Sequence, residues 1–390
     1  MGDASTFVTR CGAVAEVLAA NAATAEGDRR VAPASIEAFD AAYLRGAIVP
    51  ASLGGHGLGL ADICEGTRTL ATGCPASAWT LSFLMLHSWM LSRFRPELRA
   101  ELFVDGEAPP TAAAPLAPTG TMERTDDGWT VTGRWEWATG VHHTPWVMVH
   151  AIEVGPDAPT DTIATRFALV PTSAVTIDDV WHTSGMRATG SDTVALEGVV
   201  VPDHHTIPGT ELREPGSGAA DDRLSPLPMA SVLALVASAP AVGAAEAAAD
   251  AYRARLAERV LAYSLGDRAA DQPVAQARLA SVMSDLASTL AGWRAAIDEI
   301  SAVTLDRPAD DGLRVRTRLA AAAAVRSARR IISDVGEGTG AAPYFSSHQH
   351  QRLQRDVETL KGHVIFDWDR TTELAGRVAL GQPLRPTDMA

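Results

Sequence analysis

Apolar residues recur along this chain with two different periods, and the points where the period changes divide it into regions. Over roughly the first 110 residues the spacing is helical. Phe7, Val8, Cys11, Val14, Val17 and Leu18 predict a helix over 6–23, and Pro33 opens a second with Ser35 as its expected N-cap. The glycine-rich stretch 49–59 ends that helix, and a third runs from Leu60 or Asp62 to about Thr72. Trp79, Phe83, Leu86 and Met90 mark a fourth, with His87 one turn beyond Phe83 on the same side. An isolated histidine on an apolar helix face is either a satisfied core residue or a pocket residue.

From Pro110 to about Pro208 the period falls to two. Asp126-Asp127-Gly128 is a turn, Trp129 to Trp137 alternates as a strand, and 147–152, 167–170 and 194–201 continue as β segments between Gly, Pro, Asp and Thr clusters. A polar stretch, 209–228, reads as a linker. Helical periodicity then resumes in four segments, 229–265, 272–303, 313–336 and 349–380, with a glycine-rich loop over 336–347. The expected fold class is α+β, mostly α: an N-terminal helical domain (1–110), a central antiparallel β domain (111–208), the linker, and a C-terminal four-helix bundle (229–390).

The last helical segment carries the most specific chemistry. Read as one helix, it puts Leu353, Val357, Leu360, Val364, Thr371 and Val378 on one stripe, with His363 at its margin and Asp367 one turn on. That spacing makes a pair, either an ordinary helix-surface contact or an imidazole met by a partly desolvated carboxylate. His142-His143 and His348-x-His350 have no carboxylate or cysteine at a recognised ligand spacing, and His204-His205 follows Pro202 at the close of the β region; all read as loop histidines, and no metal is expected. Gly55-x-Gly57-x-Gly59 lacks the third spacing of a dinucleotide turn, and Pro50 interrupts the strand such a turn needs, so it reads as a helix–helix loop.

Composition narrows the classes. With 46% hydrophobic and 21% charged residues the chain is globular, and a formal charge of −14 argues against nucleic acid or an anionic membrane surface as partner. Cys11, Cys64 and Cys74 form no C-x-x-C pair and read as reduced thiols. No basic leader with an apolar stretch and no run of about 18 apolar residues is apparent, which gives the expectation of a cytoplasmic protein with no membrane contact.

The order of regions resembles the acyl-CoA dehydrogenase fold, and motifs along most of the chain carry the resemblance. Val49-Pro50 through Gly54-Gly55-x-Gly57 and Cys74 to Trp79 look like its N-terminal helices, Gly133-x-Trp135-x-Trp137-Ala138-Thr139-Gly140 like its flavin-facing strand and turn, and Gly185-Met186-Arg187-Ala188-Thr189-Gly190-Ser191 and Val199 to Pro202 like the signatures that follow. In the dehydrogenases an Arg-Asp pair precedes a Tyr-Glu-Gly-Thr motif whose Glu is the catalytic base. Here Arg355-Asp356 is followed by Gly362-His363-Val364-Ile365, while Glu337-Gly338-Thr339 lies upstream and reads as loop. Arg-Asp followed by His-x-x-x-Asp resembles instead the two-component (group D) flavin-dependent monooxygenases of this fold.

That resemblance implies an oxygenase component that takes FMNH2 or FADH2 from a separate NAD(P)H:flavin reductase, reacts it with O2 to a C4a-(hydro)peroxyflavin, and hydroxylates an aromatic or polyketide-like small molecule. N-oxygenation of an amine, as in the amino-sugar oxygenases, and an FAD-dependent dehydrogenase remain the alternatives. By the same resemblance His363 is the acid/base, with Asp367 fixing its tautomer and raising its basicity. His87 would hydrogen-bond substrate or peroxide, and Thr139 occupies the hydroxyl position at flavin N5, with Gly140 in the same turn and Trp137 and Trp135 beside the ring. Arg187, Ser191, Arg253 and Arg255 are the candidate flavin-phosphate contacts, because a phosphate takes guanidinium or hydroxyl donors. The family also implies a homotetramer.

Overall fold

The computed structural model of the protein describes residues 4–156, 158, 159, 161–261, 264–385 and 388. Five helices come first: α1 (Ala4–Asp28), α2 (Pro33–Ala41), α3 (Leu60–Gly73), α4 (Pro75–Leu91) and α5 (Pro96–Leu102). Three of them carry proline in the first turn, where a missing N–H costs nothing. Pro33 takes that position in α2, so the N-cap is Ala32, and Ser35 is buried inside the helix instead of capping it. The Gly59 N–H at the start of α3 is held by the Asp62 carboxylate at 2.8 Å.

Eight strands follow: β1 (Ala112–Ala113), β2 (Gly120–Thr125), β3 (Gly128–Ala138), β4 (Trp146–Val154), β5 (Thr165–Pro171), β6 (Thr176–Asp178), β7 (Asp192–Val201) and β8 (Thr206–Pro208). They form one sheet in the order β6-β7-β3-β2-β4-β5-β8, with β1 beside β4. Most pairings are antiparallel, but β2–β4 and β1–β4 are parallel. The cause is the 139–145 connection, which carries the chain past β2 so that β4 lies on its far edge. Met122, Val131, Trp135, Val147, Val149 and Val194 fill a core of the sheet's own, separate from the larger core among the helices.

A short α6 (Gly209–Arg213) precedes α7 (Met229–Glu258), α8 (Pro273–Ser301) and α9 (Asp311–Thr339). α9 runs on through Glu337-Gly338-Thr339, so that triplet is a helix end and not a loop. α7 corrects a second expectation: it is long and apolar enough to cross a membrane by length and composition, and most of it is buried within the fold, the mark of a core helix.

The largest difference lies at the C-terminus. The segment expected as one helix is α10 (Gln349–Leu360), a 3-10 turn over Val364–Phe366, and α11 (Trp368–Ala379). Lys361 and Gly362 end α10. The next two elements start on side-chain caps: His363 Nδ1 accepts from the Ile365 N–H at 3.4 Å, and Asp367 accepts from the Arg370 N–H at 3.0 Å. His363 and Asp367 therefore do not form an i,i+4 pair.

Candidate active site

α4 is the scaffold of the site. All its residues are buried, so it has no solvent face and each side sets a different neighbour. Trp79, Phe83 and His87, one turn apart, stack their rings in series at centroid distances of 4.7 Å and 5.5 Å. At the Trp79 end the ladder meets the His363 ring, 5.4 Å away and edge-on, and Phe366 lies 6.1 Å beyond. The two histidines singled out from the sequence thus stand at opposite ends of one aromatic row. On another side, Thr80 and Leu84 face Gly140: a Cβ there would lie 3.1 Å and 3.3 Å from their methyl carbons, and the residue sits at φ 74°, so the turn accepts only glycine without strain.

The two imidazoles carry opposite tautomers. His87 is wholly buried, and its Nδ1–H donates to the Ala112 carbonyl at 2.7 Å. Its Nε2 is left a bare acceptor with no partner among the described residues. Burial pushes its pKa down to about 4. At His363 the weak contact from the Ile365 N–H occupies Nδ1, which puts the proton of the neutral ring on Nε2. Its pKa is also pushed down to about 4, by burial first and then by the Arg318 guanidinium. Yet the residue keeps a solvent-accessible surface. Asp367, exposed and committed to its cap, does not raise the basicity of His363, contrary to expectation.

The Thr139-Gly140 turn is built by a bulge. β3 loses register against β7 between Trp135 and Ala138, and the extra residue, Trp137, sits at φ 65° with its indole 60% exposed. A large aromatic held in the left-handed region is a strained position of the kind found at ligand sites. Trp135 is different: it lies in the sheet core, and its Nε1–H donates to the His150 carbonyl at 2.6 Å. The Thr139 hydroxyl is 2.8 Å from that of Ser191, which is 2.7 Å from that of Thr189, while the Gly140 N–H donates to the Thr189 carbonyl at 3.3 Å. These observations fit a flavin. An exposed indole, the half-buried Thr139 hydroxyl backed by the buried Ser191 and Thr189 hydroxyls, and a glycine-floored turn supply a flat face and donor–acceptor groups for a polar ring edge.

The loop that delivers Ser191 is pinned to α10. Asp356 is buried, accepts from the Met186 N–H at 2.6 Å through Oδ1, and leaves Oδ2 without a partner among the described residues. Burial, reinforced by Glu26, raises its pKa to about 7 against the pull of the Met186 N–H. Gly185 allows the contact, since a Cβ there would lie 2.0 Å from the Arg355 carbonyl oxygen.

Arg187 turns away from the hydroxyl cluster. It donates to the Glu26 and Thr183 carbonyls and lines an open cavity of about 380 Å³ with Glu26, Ser346, Ser347, Arg352 and Arg355. Arg253 pairs with Asp250 on the exposed side of α7, and Arg255 reaches the Thr339 carbonyl at the end of α9. Within one chain neither shares a contact with Thr139. Trp79 as the ring partner of His363, Thr189 and Asp356 were not singled out by sequence; Thr189 and Asp356 lay inside motifs already noted, and the unsatisfied oxygen of Asp356 has no sequence signal. Glu101, which meets His204 and His205, was also missed.

A central β sheet between N-terminal helices and a C-terminal helical bundle is the layout of the acyl-CoA dehydrogenase fold. Residues 235–368 match the family model of the acyl-CoA dehydrogenase C-terminal domain. The flavin-dependent monooxygenase oxygenase subunit HsaA of Mycobacterium tuberculosis (strain CDC 1551 / Oshkosh) is 30% identical over 363 residues, 91% of this chain and 90% of that protein. The FADH(2)-dependent resorcinol hydroxylase oxygenase component of a Rhizobium species is 27% identical, over 96% and 94% of the two chains. Among solved structures, XiaF from Streptomyces sp. in complex with FADH2 and glycerol superposes with a TM-score of 0.89 at 27% identity, covering 99% of this chain and 97% of its own. The chain belongs to the oxygenase subunits of the two-component flavin-dependent monooxygenases. Among its relatives the resorcinol hydroxylase is FADH(2)-dependent and XiaF holds FADH2, in keeping with the expected reduced flavin.

Proposed function

We propose that this oxygenase hydroxylates a small aromatic or polyketide-like molecule held between His363 and the flavin-facing turn. The observation that carries the reading is His363 itself, neutral at physiological pH, accessible, and set edge-on to Trp79 where the dehydrogenases of the fold keep a carboxylate. Reduced flavin, when bound, activates O2. The chain's own residues then have three tasks. Thr139, Ser191 and Thr189 hold the flavin edge beside Trp137 and Gly140. Trp79, Phe83 and Phe366 keep water from the substrate. The His363 Nε2–H donates to the oxygen of a substrate bound as its phenolate, the hydroxyl proton having gone to bulk solvent, and the charge held there raises electron density at the neighbouring ring carbon. His87, with a bare Nε2, offers an acceptor in the same row.

The domain divisions near 110, 208 and 228, a homotetrameric state and a cytoplasmic location belong to the same proposal. In the single chain Arg253 and Arg255 are paired elsewhere, so a flavin-phosphate role for either requires a neighbouring copy.

The test is to mix the purified chain with chemically reduced FMN or FADH2 and a panel of phenols, admit oxygen, and measure product against hydrogen peroxide. Wild type should give product with little peroxide. His363→Ala should bind flavin and consume oxygen as before while product falls about a hundredfold and peroxide rises to match the oxygen consumed. Undiminished product from that variant would make His363 structural.

A further inference from the structure

We propose that Glu101, His204 and His205 form a binding site for a divalent transition-metal ion of the Zn²⁺ type, in which two imidazoles and one carboxylate tie α5 to the edge of the sheet. Glu101 lies in the last turn of α5, and the histidines occupy the 3-10 turn Asp203–His205 that leads into β8. One donor atom from each falls within 4.8 Å of the others. With metal–ligand bonds of about 2.1 Å, two ligands of a tetrahedral ion stand about 3.4 Å apart, close to the spacing of the carboxylate from each imidazole. Glu101 Oε2 is 3.4 Å from His204 Nε2 and 3.1 Å from His205 Nε2.

His205 Nδ1 faces the Leu169 carbonyl at 3.4 Å, where it can only donate. The neutral ring then aims a bare Nε2 lone pair at an ionised carboxylate oxygen, and two acceptors at that distance repel. Protonating Nε2 removes the clash for one ring. The second imidazole converges on the same oxygen, with the two rings 4.6 Å apart and nearly perpendicular, so donor atoms of three residues meet in one small space. A single divalent ion satisfies both lone pairs and the carboxylate at once. The Nδ1–H to carbonyl contact is also the partner that orients a metal-binding histidine.

The turn is held from behind. Asp203 is bound by Arg95 at 2.6 Å, Arg124 at 2.6 Å and the Trp129 Nε1–H at 3.0 Å, so it braces the histidines and is not itself a ligand. Imidazole nitrogen and carboxylate oxygen in a three-ligand set with open positions suit zinc and its neighbours over calcium or magnesium, which take oxygen alone. Glu101 and His204 are partly exposed, which gives an ion a direct path in.

The purified full-length chain is titrated with Co²⁺, whose visible absorption reports its coordination, with stoichiometry from equilibrium dialysis and Zn²⁺ as competitor. One ion per chain is expected, displaced by Zn²⁺, with affinity reduced at least about tenfold in His204→Ala, His205→Ala and Glu101→Gln and unchanged in His348→Ala. Because His205 packs within the turn and its substitution perturbs the local structure, wild type is also treated with diethyl pyrocarbonate, and Zn²⁺ should protect His204 and His205. Absence of saturable binding, unchanged binding in the His204→Ala/His205→Ala double variant, or failure to protect would each overturn the proposal.

Discussion

Asp356→Asn should make the protein more stable at alkaline pH while leaving it almost unchanged near pH 4. Burial pushes the wild-type carboxyl up to about 7 in the folded protein, against an ordinary value of 3.8. An acid with a raised folded pKa binds its proton more tightly in the folded state. Its contribution is therefore full below the unfolded value and is lost as pH climbs through the folded one. The gap of about three units, at about 1.4 kcal/mol each, sets the loss at no more than about 4 kcal/mol. Asparagine keeps an oxygen for the Met186 N–H and cannot ionise, so the variant escapes that loss.

The histidines work the other way. His87, His143, His150 and His363 are each pushed down to about 4, so they favour the fold at neutral pH and lose that contribution as pH falls from about 6.5 through 4. Their window overlaps that of Asp356, and only the difference between wild type and variant isolates the carboxyl. Thermal melts of both proteins at intervals between about pH 4 and pH 8 should give a difference that opens from near zero to several degrees in favour of the variant. A difference that stays flat, or a variant less stable at the alkaline end, would refute the idea that this carboxyl is held against its charge.

Three further outcomes follow from the geometry. Gly185→Ala should cost about 2–3 kcal/mol in a denaturant melt, because the new methyl meets the α10 backbone and not a movable side chain. Thr139→Val should weaken reduced-flavin binding about tenfold in an anaerobic titration by leaving Ser191 without that partner, and Thr139→Ser should restore it. Trp137→Asn should relieve about 1 kcal/mol of left-handed backbone strain and hold or raise the melting temperature while weakening flavin binding; a variant that loses stability would show the indole to be structural.

Much of the fold was legible because long periodic segments leave little choice. The two regimes of spacing located α1, α3, α4, α7, α8 and α9 and the longer strands. What escaped were features set by single residues or by distant ones. The apolar stripe over 349–380 continued in phase across Gly362 and Asp367, so its periodicity concealed a break that a glycine and two capping side chains enforce. The parallel pairing of β2 with β4 depends on the path of a connection that no local pattern encodes. Among the candidate site residues, Thr139, Ser191 and His363 could be singled out because motifs carried them, and His87 because it is a lone histidine on an apolar helix face. Their tautomers could not, because these are set by the Ala112 carbonyl and the Ile365 N–H.

The interruption between α10 and α11 has a further meaning for how such a protein diversifies. An unbroken helix fixes the phase of every residue after it, so one insertion turns its whole far end by about 100°. Here the chain leaves one capped helix and begins another, and the residues between are joined to the bundle through two buried side chains, Ile365 and Phe366, and through the Arg318 guanidinium, which donates to the Val364 carbonyl at 3.1 Å. Lengthening or shortening 361–367 would move His363 without rotating α11. The wall of the cleft can thus be redrawn one residue at a time while the bundle behind it keeps its register.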